Sequence, residues 1–129
     1  GDEVEILIET QVHSYYQLSI SPAGHLMDLS HEGGRLEYAW SSNAQVATHV
    51  GTDYWSIEVR IPVAGKNRRE VDPFDGLAGF KPTPRHPWYF NVCRQRVRED
   101  SRHTMSSSPT YAGFQKPDRF AKLICEDGA

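Results

Sequence analysis

Cysteine and methionine are scarce, at two residues each in a chain of 129. Two cysteines cannot staple a disulfide-dense scaffold, and the separation of Cys93 from Cys125 fits no zinc-ligand spacing. No apolar run approaches the roughly 20 residues that a membrane-spanning helix needs. The opening residues, GDEVEILIE, have neither a basic leader nor a small-residue cleavage site, so a secretory signal is expected to be absent or already removed. An excess of one charge is also missing: 14 Lys and Arg stand against 17 Asp and Glu, for a net charge of −3. The broad basic face used for non-specific nucleic-acid binding is therefore not expected. The basic clusters KNRR (66–69) and RQRVR (94–98) have acidic neighbours and read as solvated surface. GxSxG, HExxH, GxGxxG and GxxxxGK[ST] are absent, which removes the motif-based arguments for an esterase, a zinc protease, a dinucleotide site or a P-loop. No stretch of helical length carries a 3.6-residue apolar period.

Period two is abundant instead. In YWSIEVRIP, Trp55, Ile57, Val59 and Ile61 alternate with Ser56, Glu58 and Arg60, as they must on a strand with one face buried. In YYQLSIS, Tyr16, Leu18 and Ile20 point inward and Tyr15, Gln17 and Ser19 outward. Ser21, Pro22, Ala23 and Gly24 then supply a turn into HLMDLS. Strands are also expected at 4–9, 45–50, 88–96 and 121–125. Short alternating strands separated by Gly, Pro, Ser and Asn predict one domain, an antiparallel, immunoglobulin-like all-β sandwich. Trp55, Trp88, Phe90 and Phe120 belong to its core. Two connections resist regular structure: 64–87, with Pro73, Pro82, Pro84 and Pro87, and 101–117, which carries Tyr111 and Phe114.

Candidate chemistry is thin. Glu3, Glu5 and Glu9 share one side of the first strand, and paired carboxylates can hydrolyse glycosides. The alternation rule reads them as the solvated face of an edge strand, with Glu5 available as a hydrogen-bond acceptor. His103 and Met105 would share a strand face, and Met27 and Met105 are conceivable axial partners for a haem-binding electron-transfer sandwich. Nothing else specifies a haem pocket. A third reading is a structural or interaction domain without a ligand site.

Five segments in order, DEVEILIE, YYQLSISPAG, YWSIEVRIPV, WYFNVCR and SPTYAGFQKPDRFAKL, resemble family 9 carbohydrate-binding modules over nearly the whole chain. The resemblance implies a β-sandwich that binds an oligo- or polysaccharide without cleaving it. It also implies attachment to a larger, glycan-degrading polypeptide in an extracellular, periplasmic or cell-surface setting. Glu5 falls where the family has a sugar-binding carboxylate, and Phe114 where it has a stacking tryptophan. The second stacking tryptophan would precede Gly1, so the family comparison predicts a domain lacking its first strands. Ser19 and Ser21 replace an arginine and an asparagine, and Ser107 replaces a tryptophan. Gln17, Ser19, Asn91 and Arg94 form an alternative polar set, and Trp40 a second aromatic wall. Phe114 reads equally as an aromatic plug at the end of the sandwich. Calcium is admitted by the resemblance, although no dense oxygen-ligand loop is present. Cys93 shares the Asn91 side of its strand and Cys125 the Leu123 side of another. With Asn91 facing solvent and Leu123 the core, both thiols are expected to be free.

Overall fold

Alternating side chains build the sheet and set which residues share a face. The computed structural model describes residues 1–11, 14–62, 82–108, 113–115 and 117–124. Among these the strands are β1 (Asp2–Gln11), β2 (Ser14–Ile20), β3 (Leu26–Glu32), β4 (Arg35–Glu37), β5 (Gln45–Val50), β6 (Trp55–Arg60), β7 (Trp88–Arg98), β8 (Ser101–Ser106) and β9 (Ala121–Leu123). Every pairing is antiparallel. A seven-stranded sheet runs β4-β3-β2-β1-β7-β8, with β9 also on β7, and β5 and β6 form a separate two-stranded sheet. The architecture is all-β and antiparallel, as the period-two pattern predicts.

The two sides of the large sheet follow from register. Ile8 lies opposite Tyr16 and Phe90, and Trp88 opposite Leu123. On this Trp88 side, Ile8, Tyr16 and Trp88 form a buried cluster, with Ile6, Trp40, Ile61, Phe90 and Leu123 packed around it. Ile61 follows β6 directly, so the small sheet lies on this side. The opposite, Glu5 side buries Leu7, Cys93 and Phe120, with Tyr15, Tyr89 and Phe114 against them. Each fully buried aliphatic or aromatic side chain contributes roughly 1.5–3 kcal/mol relative to exposure. Trp88 is core at 2% exposure, and Phe120 is also buried. Trp55 and Phe90 are only half-buried, a correction to the sequence reading.

Two further expectations change. β1 is an interior strand between β2 and β7, not an edge. Its Glu5, with Gln17 and Ser19 of β2, is buried and not solvated. Alternation separates the two sides correctly, but both are covered at the centre of the sheet. β4 and β8 arise where no apolar alternation exists. Their residues are almost all exposed, and backbone pairing to β3 and β7 holds them. Most of the 64–87 connection, the KNRR cluster, Tyr111 and Cys125 lie outside the described residues.

The β2–β3 turn forms where Ser-Pro-Ala-Gly predicts it. The Gly24 amide donates to the Ser21 carbonyl at 2.9 Å, and the Ser21 amide donates to the His25 carbonyl at 3.1 Å. Gly24 has φ of 84°, a left-handed conformation that costs a residue with a Cβ about 1–2 kcal/mol. The space at its Cβ position is adequate, with Thr48 Oγ1 at 3.4 Å. Gly24→Ala should therefore destabilise the domain by about 1 kcal/mol through backbone conformation alone. An unchanged urea midpoint would overturn that reading.

Candidate functional site

The polar residues of the Glu5 side converge because of pairing parity. Glu5 lies opposite Ser19 on β2 and Cys93 on β7, and Leu7 lies opposite Gln17 and Asn91. Partners directly across an antiparallel ladder point to the same side. Glu5, Gln17, Ser19, Asn91 and Cys93 therefore occupy one surface. Phe114 reaches this surface from the C-terminal segment and packs on the Leu7–Cys93–Phe120 cluster. Next to it, Gln115 Nε2 donates to Gln17 Oε1 at 3.3 Å, and Gln17 Nε2 donates to Ser19 Oγ at 3.2 Å.

Glu5 is the electrostatic centre of this surface. It is 7% exposed, and its Oε2 has no hydrogen-bond partner. Burial, then hydrogen bonding and charge from neighbouring Glu3, raise its pKa to about 7. The Cys93 thiol is pushed up to about 12, by burial first and by the Glu5 charge second. Tyr15 is raised by the same two causes in the same order. Cys93 is free and buried, and the raised pKa keeps it a thiol at neutral pH, a poor nucleophile and metal ligand.

Asn91 shares the side but not the role assigned to it. It is fully buried, which corrects the expectation that it faces solvent. Its Nδ2 donates to the Ser108 carbonyl, and its Oδ1 accepts from Ser107 Oγ and the Ser108 amide, each at 2.9 Å. That set occupies the amide on the chain after β8, so Asn91 anchors the 107–108 segment and is not a free sugar ligand. Ser108 Oγ in turn donates to the Arg119 carbonyl. The anchor thus connects β7 to the segment that ends in Phe120.

Arg94 and Trp40 do not join the surface. Arg94 lies opposite Val4, on the Trp88 side, where its Nη2 is 3.5 Å from Asp2 Oδ2. Trp40 packs against Tyr16, with ring centroids 4.9 Å apart, also on that side. Conversely, the sequence reading missed Tyr15 and Gln115. Tyr15 lies on the Glu5 side and stacks on His31 at 4.6 Å. Its even separation from Gln17 and Ser19 was a signal that could have found it. Gln115 gave no local signal, because its role depends on a contact 98 residues away in sequence. Of the residues raised for haem, His103 and Met105 sit exposed on β8, and Met27 is exposed on β3. Among the described residues no three His, Cys, Asp or Glu side chains gather into a group that could hold a metal ion.

No protein-family model, curated protein or solved structure matches this chain.

Proposed function

We propose that this chain is a non-catalytic carbohydrate-binding domain whose sugar site is the Glu5 side of the large sheet. The observation that carries the reading is the Glu5 Oε2 acceptor, buried without a partner, on the same surface as Gln17, Ser19 and the Phe114 ring. A sugar offers hydroxyl donors for the carboxylate and amide oxygens, and an apolar C–H face for an aromatic ring. Tyr15, with His31 stacked behind it, adds a second ring to the same surface. Gln115 holds the Gln17 oxygen in the free protein, and a hydroxyl can take its place.

Binding without cleavage is part of this reading: the Glu5 carboxyl serves as an acceptor for sugar hydroxyls, and no chemical step is assigned to it or to Glu3. The reading includes attachment to a longer, polysaccharide-degrading polypeptide and an extracellular, periplasmic or cell-surface setting.

Calorimetric titration with a panel of neutral mono- and oligosaccharides tests the proposal. At least one should bind, and Phe114→Ala should weaken it by about 10-fold, the loss of roughly 1.4 kcal/mol of ring contact. Glu5→Gln should weaken it as well while leaving the fold intact. Failure of every sugar to bind, or affinity indifferent to both substitutions, would favour a purely structural or interaction domain.

A further inference from the structure

The Trp88 side carries a groove that the reading above does not use. It has a volume of about 600 Å³ and lies between the C-terminal half of β7 and the tip of the β5–β6 hairpin. Arg94, Arg96 and Arg98 line it at alternate positions of β7. Successive residues on one side of a strand are about 7 Å apart, so the three guanidiniums form a row along one wall. Tyr54 and Trp55, from the β5–β6 hairpin, also line it. Tyr54 is 58% exposed and Trp55 half-buried, so both present ring surface without sitting in the core.

The charges are not matched within the groove. The Asp2 carboxylate is shared, 3.5 Å from Arg94 and 4.0 Å from Arg96. Among the described residues Arg98 forms no ion pair, and Arg94 Nε is buried with no acceptor. Asp53, at the hairpin tip, is the other acid of the lining, which leaves three guanidiniums against two carboxylates. A planar guanidinium fork prefers a carboxylate or sulfate, which it can hold through paired hydrogen bonds. The unsatisfied Arg94 donor and the unpaired Arg98 therefore point to an anionic group on the ligand.

The hairpin tip is built to hold its ring. The Gly51 amide donates to the Tyr54 carbonyl at 2.8 Å, and the His49 ring lies 5.8 Å from that of Tyr54. A Cβ at Gly51 would overlap the Tyr54 ring, so the ring lies directly over the glycine backbone. That contact holds the Tyr54 ring in place within the lining it shares with the three arginines.

We infer that this groove is a second ligand site, specific for an acidic oligosaccharide carrying uronate carboxylates or sulfate esters. The arginine row holds the charged groups, and Tyr54 and Trp55 take the C–H faces of the sugar rings. The volume falls within the roughly 300–1,000 Å³ typical of small-ligand sites. The two aromatic residues favour a saccharide over a simple inorganic anion. The Asp2 and Asp53 carboxylates of the lining can accept from sugar hydroxyls, donors that a DNA backbone lacks, so a lining that mixes three guanidiniums with two carboxylates favours an acidic saccharide over a nucleic acid. The site is on the opposite side of the large sheet from Glu5 and Phe114, so it stands or falls independently of the neutral-sugar reading.

Titration of the intact chain at physiological salt tests this with four probes: a sulfated heparin tetrasaccharide, an oligogalacturonate, a neutral cello-oligosaccharide and a single-stranded oligonucleotide. One of the two acidic saccharides should bind at least 10-fold tighter than the oligonucleotide, and its identity distinguishes sulfate from carboxylate. The double variant Arg96→Gln/Arg98→Gln should lower that affinity at least 10-fold with an unchanged Tm, since both side chains are exposed. Tyr54→Ala should lower it several-fold, whereas Phe114→Ala should leave it unchanged. Absence of acidic-saccharide binding, equal binding of the oligonucleotide, or affinity indifferent to the arginine pair would overturn the inference. Loss of acidic-saccharide binding in Phe114→Ala would instead locate that ligand on the Glu5 side and overturn it too.

Discussion

Leu7→Ala is expected to destabilise the domain by about 3–5 kcal/mol, the upper part of the range for a buried leucine that leaves a cavity. Leu7 has no exposed surface and lies in the central strand, between Gln17 and Asn91. Its side chain is held with Cys93 and Phe120 beneath Tyr15, Tyr89 and Phe114. The polar partners on both flanks cannot close over the void without giving up their own hydrogen bonds, so relaxation is limited. The measurement is the urea midpoint at unchanged m value. Leu7→Met preserves volume and should cost less than about 1.5 kcal/mol. Equal losses for the two variants would show that the site collapses freely and would sink the cavity argument. Because Phe114 rests on the same cluster, Leu7→Ala should also weaken sugar binding at temperatures where the variant remains folded.

Glu5→Gln is expected to act in the opposite direction and to depend on pH. The folded-state pKa of Glu5 is raised from 4.5 to about 7. Below the lower value the carboxyl is protonated whether the chain is folded or not, and the residue contributes no pH dependence. Between the two values the unfolded chain ionises while the folded one keeps its proton. Stability therefore falls as pH rises through this window and levels off above about pH 7. Glutamine cannot ionise, so the variant should lack this decline. Near pH 8 it should be the more stable protein, by on the order of 1–3 kcal/mol, and near pH 4 the difference should largely vanish. Thermal unfolding at several pH values checks this, and parallel profiles for the two proteins would refute it. Relief of the Glu3 contact contributes in the same direction, so Glu3→Gln should reproduce part of the effect.

The strands with clean alternation were legible in the sequence, since a period of two admits few alternatives. β5 occupies the six residues expected of it, and β6 follows the Trp55–Arg60 alternation. β8 was not legible, because SRHTMS buries no apolar face and owes its extended form to the backbone groups of β7. The candidate site was legible in part. Glu5 and Phe114 were suggested by a family resemblance, and alternation placed Gln17 and Ser19 on one side of β2. Parity should also have separated Asn91 from Arg94, since residues three apart on one strand face opposite ways. What alternation cannot give is which side is covered. On the Glu5 side Phe114 and Phe120 pack against Leu7 and Cys93, and Gln115 bonds to Gln17, contacts supplied from far along the chain. Glu5, Gln17 and Ser19 are buried there although alternation reads them as solvated.

The place of β1 in the sheet has a kinetic consequence. Its two neighbours are β2, next in the chain, and β7, whose pairing brings Asp2 opposite Arg96. Gly1 and Val97 extend that ladder by exchanging backbone hydrogen bonds. During ribosomal synthesis the β1–β2–β3 meander can form early, but one edge of β1 waits for most of the domain to emerge. Such long-range closure puts the chain among the slower folders, on the millisecond-to-second scale of high-contact-order β proteins. Until β7 docks, the apolar residues Ile6, Leu7 and Ile8 are carried on an open strand edge, which makes the nascent chain prone to intermolecular pairing.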